Sequence, residues 1–243
     1  MPHLEIACFN VQSALVAHEA GADRIELCAG ADVGGTTPDW DILSTVVAAV
    51  RPEGHFQNRR QNQTKIPVFV MNRPRGGDFV YSDAEFEGMK SDMEKMHTLA
   101  DGFVFGILDA QGNVDVRRNQ ELVRLAHGRP CTFHRAFDQC RNLLRALEDI
   151  THCGFTTVLT SGGRNAALDG ARDIADLVTK AQDRVVIMPG GGVRSSNIAA
   201  LINETEAAWY HSSAITSAND VASFEEIHRL KALLHDHDKP SDL

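Results

Sequence analysis

Short apolar runs alternate along the chain with amphipathic stretches of helical period, and the alternation repeats eight times. The apolar runs are LEIACFN from Leu4, RIELCA from Arg24, IPVFVMNR from Ile66, GFVFGILD from Gly102, CTFHRAFD from Cys131, TTVLTSGG from Thr156, VVIMPGGG from Val185 and AWYHSSA from Ala208. Each predicts a strand, and the stretch after each predicts a helix. Met89, Met93 and Met96 recur at helical spacing behind Ser82 and Glu85, a pair spaced as a capping box. Ala146, Leu147 and Ile150 mark a fifth helix, and Phe224, Ile227, Leu230 and Leu234 the last. Eight strand-helix units in 243 residues predict an α/β fold, a TIM (β/α)₈ barrel spanning residues 1–243 as a single domain. The polar loop from Gly54 to Thr64 joins a helix to a strand and is therefore expected on the face opposite the functional one.

Strand alternation then sorts side chains by face. If the apolar set faces the helices, Glu5, Ala7 and Phe9 point into the barrel while Leu4, Ile6 and Cys8 point out. Glu26 and Cys28 point in, as do Thr132, His134 and Ala136. Two buried glutamates need partners, and Arg73 and Arg75 at the third strand end are the expected ones. His134 is placed to titrate near neutrality, which suits general acid-base work. An internal salt-bridge network that merely fills the barrel is the alternative reading of the same residues.

Functional residues of such barrels gather where the strands end. Gly190-Gly191-Gly192 follow the seventh apolar run and precede Ser195-Ser196-Asn197, so backbone amides and a helix start are expected to converge on one anion. Ser161, Gly162, Gly163, Ser212 and Ser213 should border that pocket, with Arg194 adding charge; tight turns with close helix packing are the alternative. His211 sits at the eighth strand end. No lysine lies at the eight strand ends, which disfavours Schiff-base chemistry.

Net charge is −9, with no clustered basic surface, so a nucleic-acid or anionic-membrane partner is not expected. The N-terminus lacks a basic leader before an apolar core, and no eighteen apolar residues run together, which points to a cytoplasmic protein. Five cysteines without a CxxC pair fit reduced thiols. Soft thiolates suit Cu(I), and Cys8 and Cys28 lie near the ends of neighbouring strands, although alternation puts them on opposite faces. Cys131, Cys140 and Cys153 read as structural.

The strings ADRIELCAG, GGTTP, NRPRGGDFVYSDAE, DGFVFGILD, FHRAFD, GFTTVLTSGG, IMPGGGVRSSNI and HSSA, in that order from Leu4 to about Ala214, together resemble the CutC family of copper homeostasis proteins. The resemblance implies a cytosolic TIM barrel, a homodimer or higher homo-oligomer, with Cu(I) as a possible cofactor held by Cys8 and Cys28. It also implies a polar lumen of Glu5, Glu26, Arg73, Arg75, His134, Arg135 and Asp138. Two functional expectations follow. One is a copper homeostasis protein that binds Cu(I). The other is a barrel enzyme acting on a small phosphorylated or carboxylated metabolite, with Glu26, Arg73, His134 and Asp138 as its catalytic set.

Overall fold

A computed structural model describes residues 1–51 and 65–237, so the loop expected at Gly54 to Thr64 lies outside the described residues. The elements alternate as expected: β1 His3–Cys8, α1 Val11–Glu19, β2 Arg24–Leu27, α2 Trp40–Val50, β3 Val68–Met71, α3 Asp83–Met96, β4 Gly102–Phe105, α4 Val116–Leu125, β5 Cys131–Phe133, α5 Leu143–Cys153, β6 Thr157–Thr160, α6 Ala171–Ala181, β7 Val186–Pro189, α7 Ile198–Thr205, β8 Trp209–Ser212 and α8 Phe224–His237. The strands form one parallel sheet in the order β7-β6-β5-β4-β3-β2-β1-β8. Its two end strands, β7 and β8, lie side by side, so the sheet curls into a nearly closed barrel. The eight-unit TIM-barrel expectation therefore holds.

Local chemistry sets the element ends. Ser82 accepts the Glu85 amide, and the Glu85 carboxylate reaches back to the Ser82 amide, which closes the capping box of α3. Met89, Met93 and Met96 are buried on its inner face, as their spacing requires. On the outer wall Leu4, Ile6, Cys8, Ile25, Leu27, Val68, Val70, Phe103, Phe105 and Phe133 pack against the helices in one continuous core.

Register, rather than alternation alone, builds the lumen. Glu5 is paired across the ladder with Arg24 of β2 on one side and with His211 of β8 on the other, so three charged side chains enter the barrel at one level. One step towards the mouth, Glu26 stands beside Ala7, whose small side chain leaves it room. Phe69, Met71, Val104 and Cys28 form a small apolar cluster inside the barrel, separate from the outer core.

Alternation misplaces the residues after His134. The chain leaves the strand there and enters a 3-10 turn over Arg135–Gln139, so Ala136, expected inside, packs with the outer core instead. A two-residue period holds only while the backbone stays extended.

Candidate functional site

At the C-terminal mouth of the strands lies a cavity of about 300 Å³. Its lining includes Glu26, His211, Arg73 and His134, together with Arg135, Gly191, Gly192, Arg194, Ser212 and Ser213 from the strand ends and the loops that follow them. Residues far apart in the chain thus meet at one mouth, as the barrel geometry demands.

The floor is an ionic cluster. Arg24 Nε donates to Glu5 Oε2 at 2.5 Å, and His211 Nδ1 lies 2.7 Å from Glu5 Oε1. His211 Nε2 stands 3.8 Å from Glu26 Oε2. Burial opposes ionisation of Glu5, yet the Arg24 and His211 charges outweigh it and bring its pKa down to about 2. Glu26 moves the other way: burial and the nearby Glu5 charge raise its pKa, against the pull of His211. Burial disfavours a charged His211, but its two carboxylate neighbours dominate and raise its pKa. Arg24, which the sequence reading left out, is Glu5's partner; its guanidinium also stacks over Phe69 and Trp209. Its inward parity two residues before Glu26 was the available signal.

The two arginines expected to neutralise the glutamates do otherwise. Arg73 donates to the carbonyls of Val33, Gly35 and Gly77, each at 2.9 Å, and meets no carboxylate among the described residues. Arg75 turns away from the lumen and pairs with Glu85 and Asp78 at the surface. Its assignment to the lumen is therefore corrected: Arg75 lies past the end of β3, where the two-residue alternation no longer applies.

His134 is buried, and burial with the neighbouring Arg73 charge lowers its pKa to about 3, so it stays neutral rather than titrating near pH 7. Its Nδ1 accepts the Ala136 amide at 3.3 Å, which leaves the ring proton on Nε2. That Nε2 is buried without a protein partner, as is Glu26 Oε1. The other Glu26 oxygen accepts from the Cys28 thiol at 3.5 Å. Both residues line the one cavity, Glu26 carrying an unpartnered buried acceptor and His134 an unpartnered buried donor.

The glycine triplet is explained position by position. A Cβ on Gly190 would lie 2.4 Å from Leu159 Cδ1. Gly191 has φ +100° and sits against the Arg135 guanidinium, and Gly192 has φ +72°. The expected ring of amides is narrower than the sequence suggested. The Gly190 amide donates to the Thr160 carbonyl, and the Ser195 amide is capped by Glu226 at 2.7 Å. The Ser161 and Gly163 amides go to Asp138, and the Gly162 amide to Thr160 Oγ1. What remains for a ligand at this end is Gly191, Gly192, Ser213 and the guanidinium of Arg194, which among the described residues donates to the neutral oxygens of Val193, Ser212, Ser213 and Ile215.

Asp138 supports the rim from outside the cavity. It holds Arg135 Nε at 2.9 Å, Thr160 Oγ1 at 2.5 Å, and the Ser161 and Gly163 amides. Its oxygens are held by these protein donors, so it positions Arg135 and the β6 loop.

Gly191→Ala should cost about 1–3 kcal/mol through left-handed strain and, in addition, displace Arg135. Gly192→Ala should cost less, because its Cβ would meet only Ala166 Cβ at 3.6 Å. Urea melts of the two variants check the order, and equal losses would show that the Arg135 approach has no energetic weight.

The model of the CutC family matches residues 2–216. The chain belongs to the CutC family. It is 41% identical over 223 residues to the copper homeostasis protein cutC homolog of Homo sapiens, covering 91% of this chain and 76% of that one. It is 44% identical over 230 residues to the family protein CutC of Xylella fastidiosa, covering 93% and 81%. The crystal structure of a CutC protein from Streptococcus agalactiae superposes with a TM-score of 0.79 at 30% identity, covering 88% of this chain and 99% of that one.

Against the thiol pair that the CutC resemblance implied, the structure separates the two sulfurs. Cys8 is buried in the outer core, where its thiol faces the Ile6 carbonyl, whereas Cys28 is in the lumen beside Glu26. Burial first, and then the Glu26 charge, raise both thiol pKa values. The two thiols thus belong to different packing environments, although their backbones are joined by the Cys28 amide donating to the Cys8 carbonyl at 2.9 Å. Cys28 alone can face a lumenal ion, with Met71 in the same apolar cluster. Cys131 and Cys153 are buried and Cys140 half-buried, away from the cavity lining. Among the described residues no helix is long and apolar enough to cross a membrane.

Proposed function

We propose that this CutC-family chain is a barrel enzyme that binds a small anionic metabolite at the strand mouth and acts on it by acid-base chemistry. The observation that carries the reading is the pair of guanidiniums, Arg73 and Arg194, that line one cavity without a carboxylate partner among the described residues. In a chain of net charge −9, two such cations facing a cavity favour an anion there. Glu26 and His134, from different strands, supply an acceptor and a donor among the residues that line the same space. Five free cysteines support a reducing, cytosolic setting. The exposed Trp40 and Ile42 of α2 offer apolar area for the self-association that the family resemblance implies.

A thermal-shift screen of phosphorylated and carboxylated metabolites tests this. Stabilisation by at least one compound should be lost in Arg194→Gln. A screen in which no anion raises the melting temperature would overturn the reading.

A second reading, direct Cu(I) binding as the chain's role in copper homeostasis, is favoured by one fact: Cys28 is a lumenal thiol with a second sulfur-bearing side chain, Met71, packed beside it. Thiolate and thioether donors are those Cu(I) prefers. Anaerobic Cu(I) titration against a competing chelator should then show binding that disappears in Cys28→Ser and persists in Cys8→Ser. Equal loss in both variants would restore the paired-thiol model.

A further inference from the structure

We propose that the cavity takes a short phosphorylated α-hydroxy aldehyde or ketone and moves a proton between its neighbouring carbons, with Glu26 as base and His134 as the neutral donor to the substrate oxygens. This deepens the acid-base reading above and rests on it.

Three observations specify the chemistry. The Glu26 oxygen Oε1 is buried and unpartnered, while its other oxygen is engaged by Cys28 and faced by His211. A desolvated carboxylate with one free oxygen is a base for a carbon-bound proton. His134 Nε2–H is equally buried and unpartnered, and the Ala136 amide on Nδ1 fixes the tautomer that donates. A neutral imidazole donor matches the weakly basic oxygen of a carbonyl or enediolate. At the rim, Gly191, Gly192, Ser213 and Arg194 stand together, with Arg135 beside Gly191. Arg135 is paired with Asp138, whereas Arg194 keeps its charge for the ligand. Backbone amides at left-handed glycines plus a free guanidinium suit the several oxygens of a phosphate.

The step balances without an outside reagent. Glu26 Oε1 takes the proton from the hydroxyl-bearing carbon. The released C–H pair becomes the carbon–carbon double bond of an enediolate, and the carbonyl pair moves to an oxygen that receives the Nε2 hydrogen bond. Glu26 then returns the proton to the former carbonyl carbon, while the proton on the other oxygen passes by way of His134 to the former carbonyl oxygen, which becomes the hydroxyl as the other becomes the new carbonyl. One C–H bond breaks and one forms. The cavity lining contains no lysine, so the carbonyl is polarised by hydrogen bonding rather than through an imine.

The test is proton exchange from solvent. The protein is incubated in D₂O with dihydroxyacetone phosphate, erythrose 4-phosphate, ribose 5-phosphate or fructose 6-phosphate, and deuterium next to the carbonyl is read by NMR. In parallel, inorganic phosphate is titrated by thermal shift. Exchange should occur with at least one sugar phosphate and fall about 10²–10⁴-fold in Glu26→Gln, with phosphate stabilisation unchanged. If Glu26→Gln fails to fold, His134→Gln carries the same comparison. No exchange with any of the four, while phosphate still binds through Arg194, would overturn this inference and leave the anion site standing. Loss of both signals would overturn the acid-base reading as well. Exchange that survives Glu26→Gln and His134→Gln would remove both residues from the step.

Discussion

Arg24→Met should lower the free energy of unfolding by about 3–5 kcal/mol, because it leaves the buried Glu5 carboxylate with His211 as its one remaining charge partner. Both members of the pair are out of water, with side-chain exposures of 8% and 0%, so solvent screening does not soften the loss. The guanidinium's stacking on Phe69 and Trp209 disappears with it. Glu5→Gln combined with Arg24→Met should recover much of the loss, since no uncompensated charge then stays buried. The pH dependence gives a sharper check. Glu5 has a folded pKa of about 2, lowered from 4.5, so its contribution is present above pH 4.5 and is lost as pH falls through 2. The difference between wild type and Arg24→Met should therefore shrink between pH 4.5 and 2. Glu26 and His211, both raised, run the opposite way: each favours folding below its unfolded pKa and ceases to do so as pH rises through its folded one. Urea midpoints measured across this range decide the matter, and a difference that stays constant down to pH 2 would show that the ion pair is not what Arg24 contributes.

The sequence was most informative wherever the chain stays extended. Glu5, Glu26 and Cys28 point inward and Cys8 outward because a strand alternates faces, and the helix period of α3 placed its methionines correctly. Two departures share another cause. Arg75 lies outside the lumen and Ala136 packs outward; each lies past a strand end, where the backbone turns and the period lapses. The identity of partners was hidden for a different reason. Glu5 meets Arg24 and His211 because the register of β1 against β2 and β8 aligns them, and register is set by the whole ring. The Ser195 amide is closed by Glu226 from α8, a residue thirty-one positions away. Hydrophobic pattern carries no trace of such a pairing.

Asp138→Ala should destabilise the protein by about 3 kcal/mol, the second largest effect expected, although Asp138 does not itself line the cavity. The substitution removes the acceptor of the Ser161 and Gly163 amides and of the Thr160 hydroxyl, and a buried donor left without a partner costs about 1–3 kcal/mol. The lost ion pair adds less, because Arg135 is 39% exposed and solvent screens its charge. Hydrogen exchange should show the opening confined to the β6 loop and the 3-10 turn after β5, with the β1–β2 ladder still protected. Anion affinity should fall too, since Arg135 beside Gly191 would keep its bonds to Ser161, Arg164 and Asn165 but lose its charged partner, whereas a residue that met substrate directly would alter turnover without loosening these segments. Asp138→Asn separates the two cases: it keeps an acceptor oxygen for the amides but loses the charge, so it should retain about half the lost stability. If Asp138→Ala melts like wild type yet abolishes turnover, Asp138 acts on the ligand and the supporting role assigned to it here is wrong.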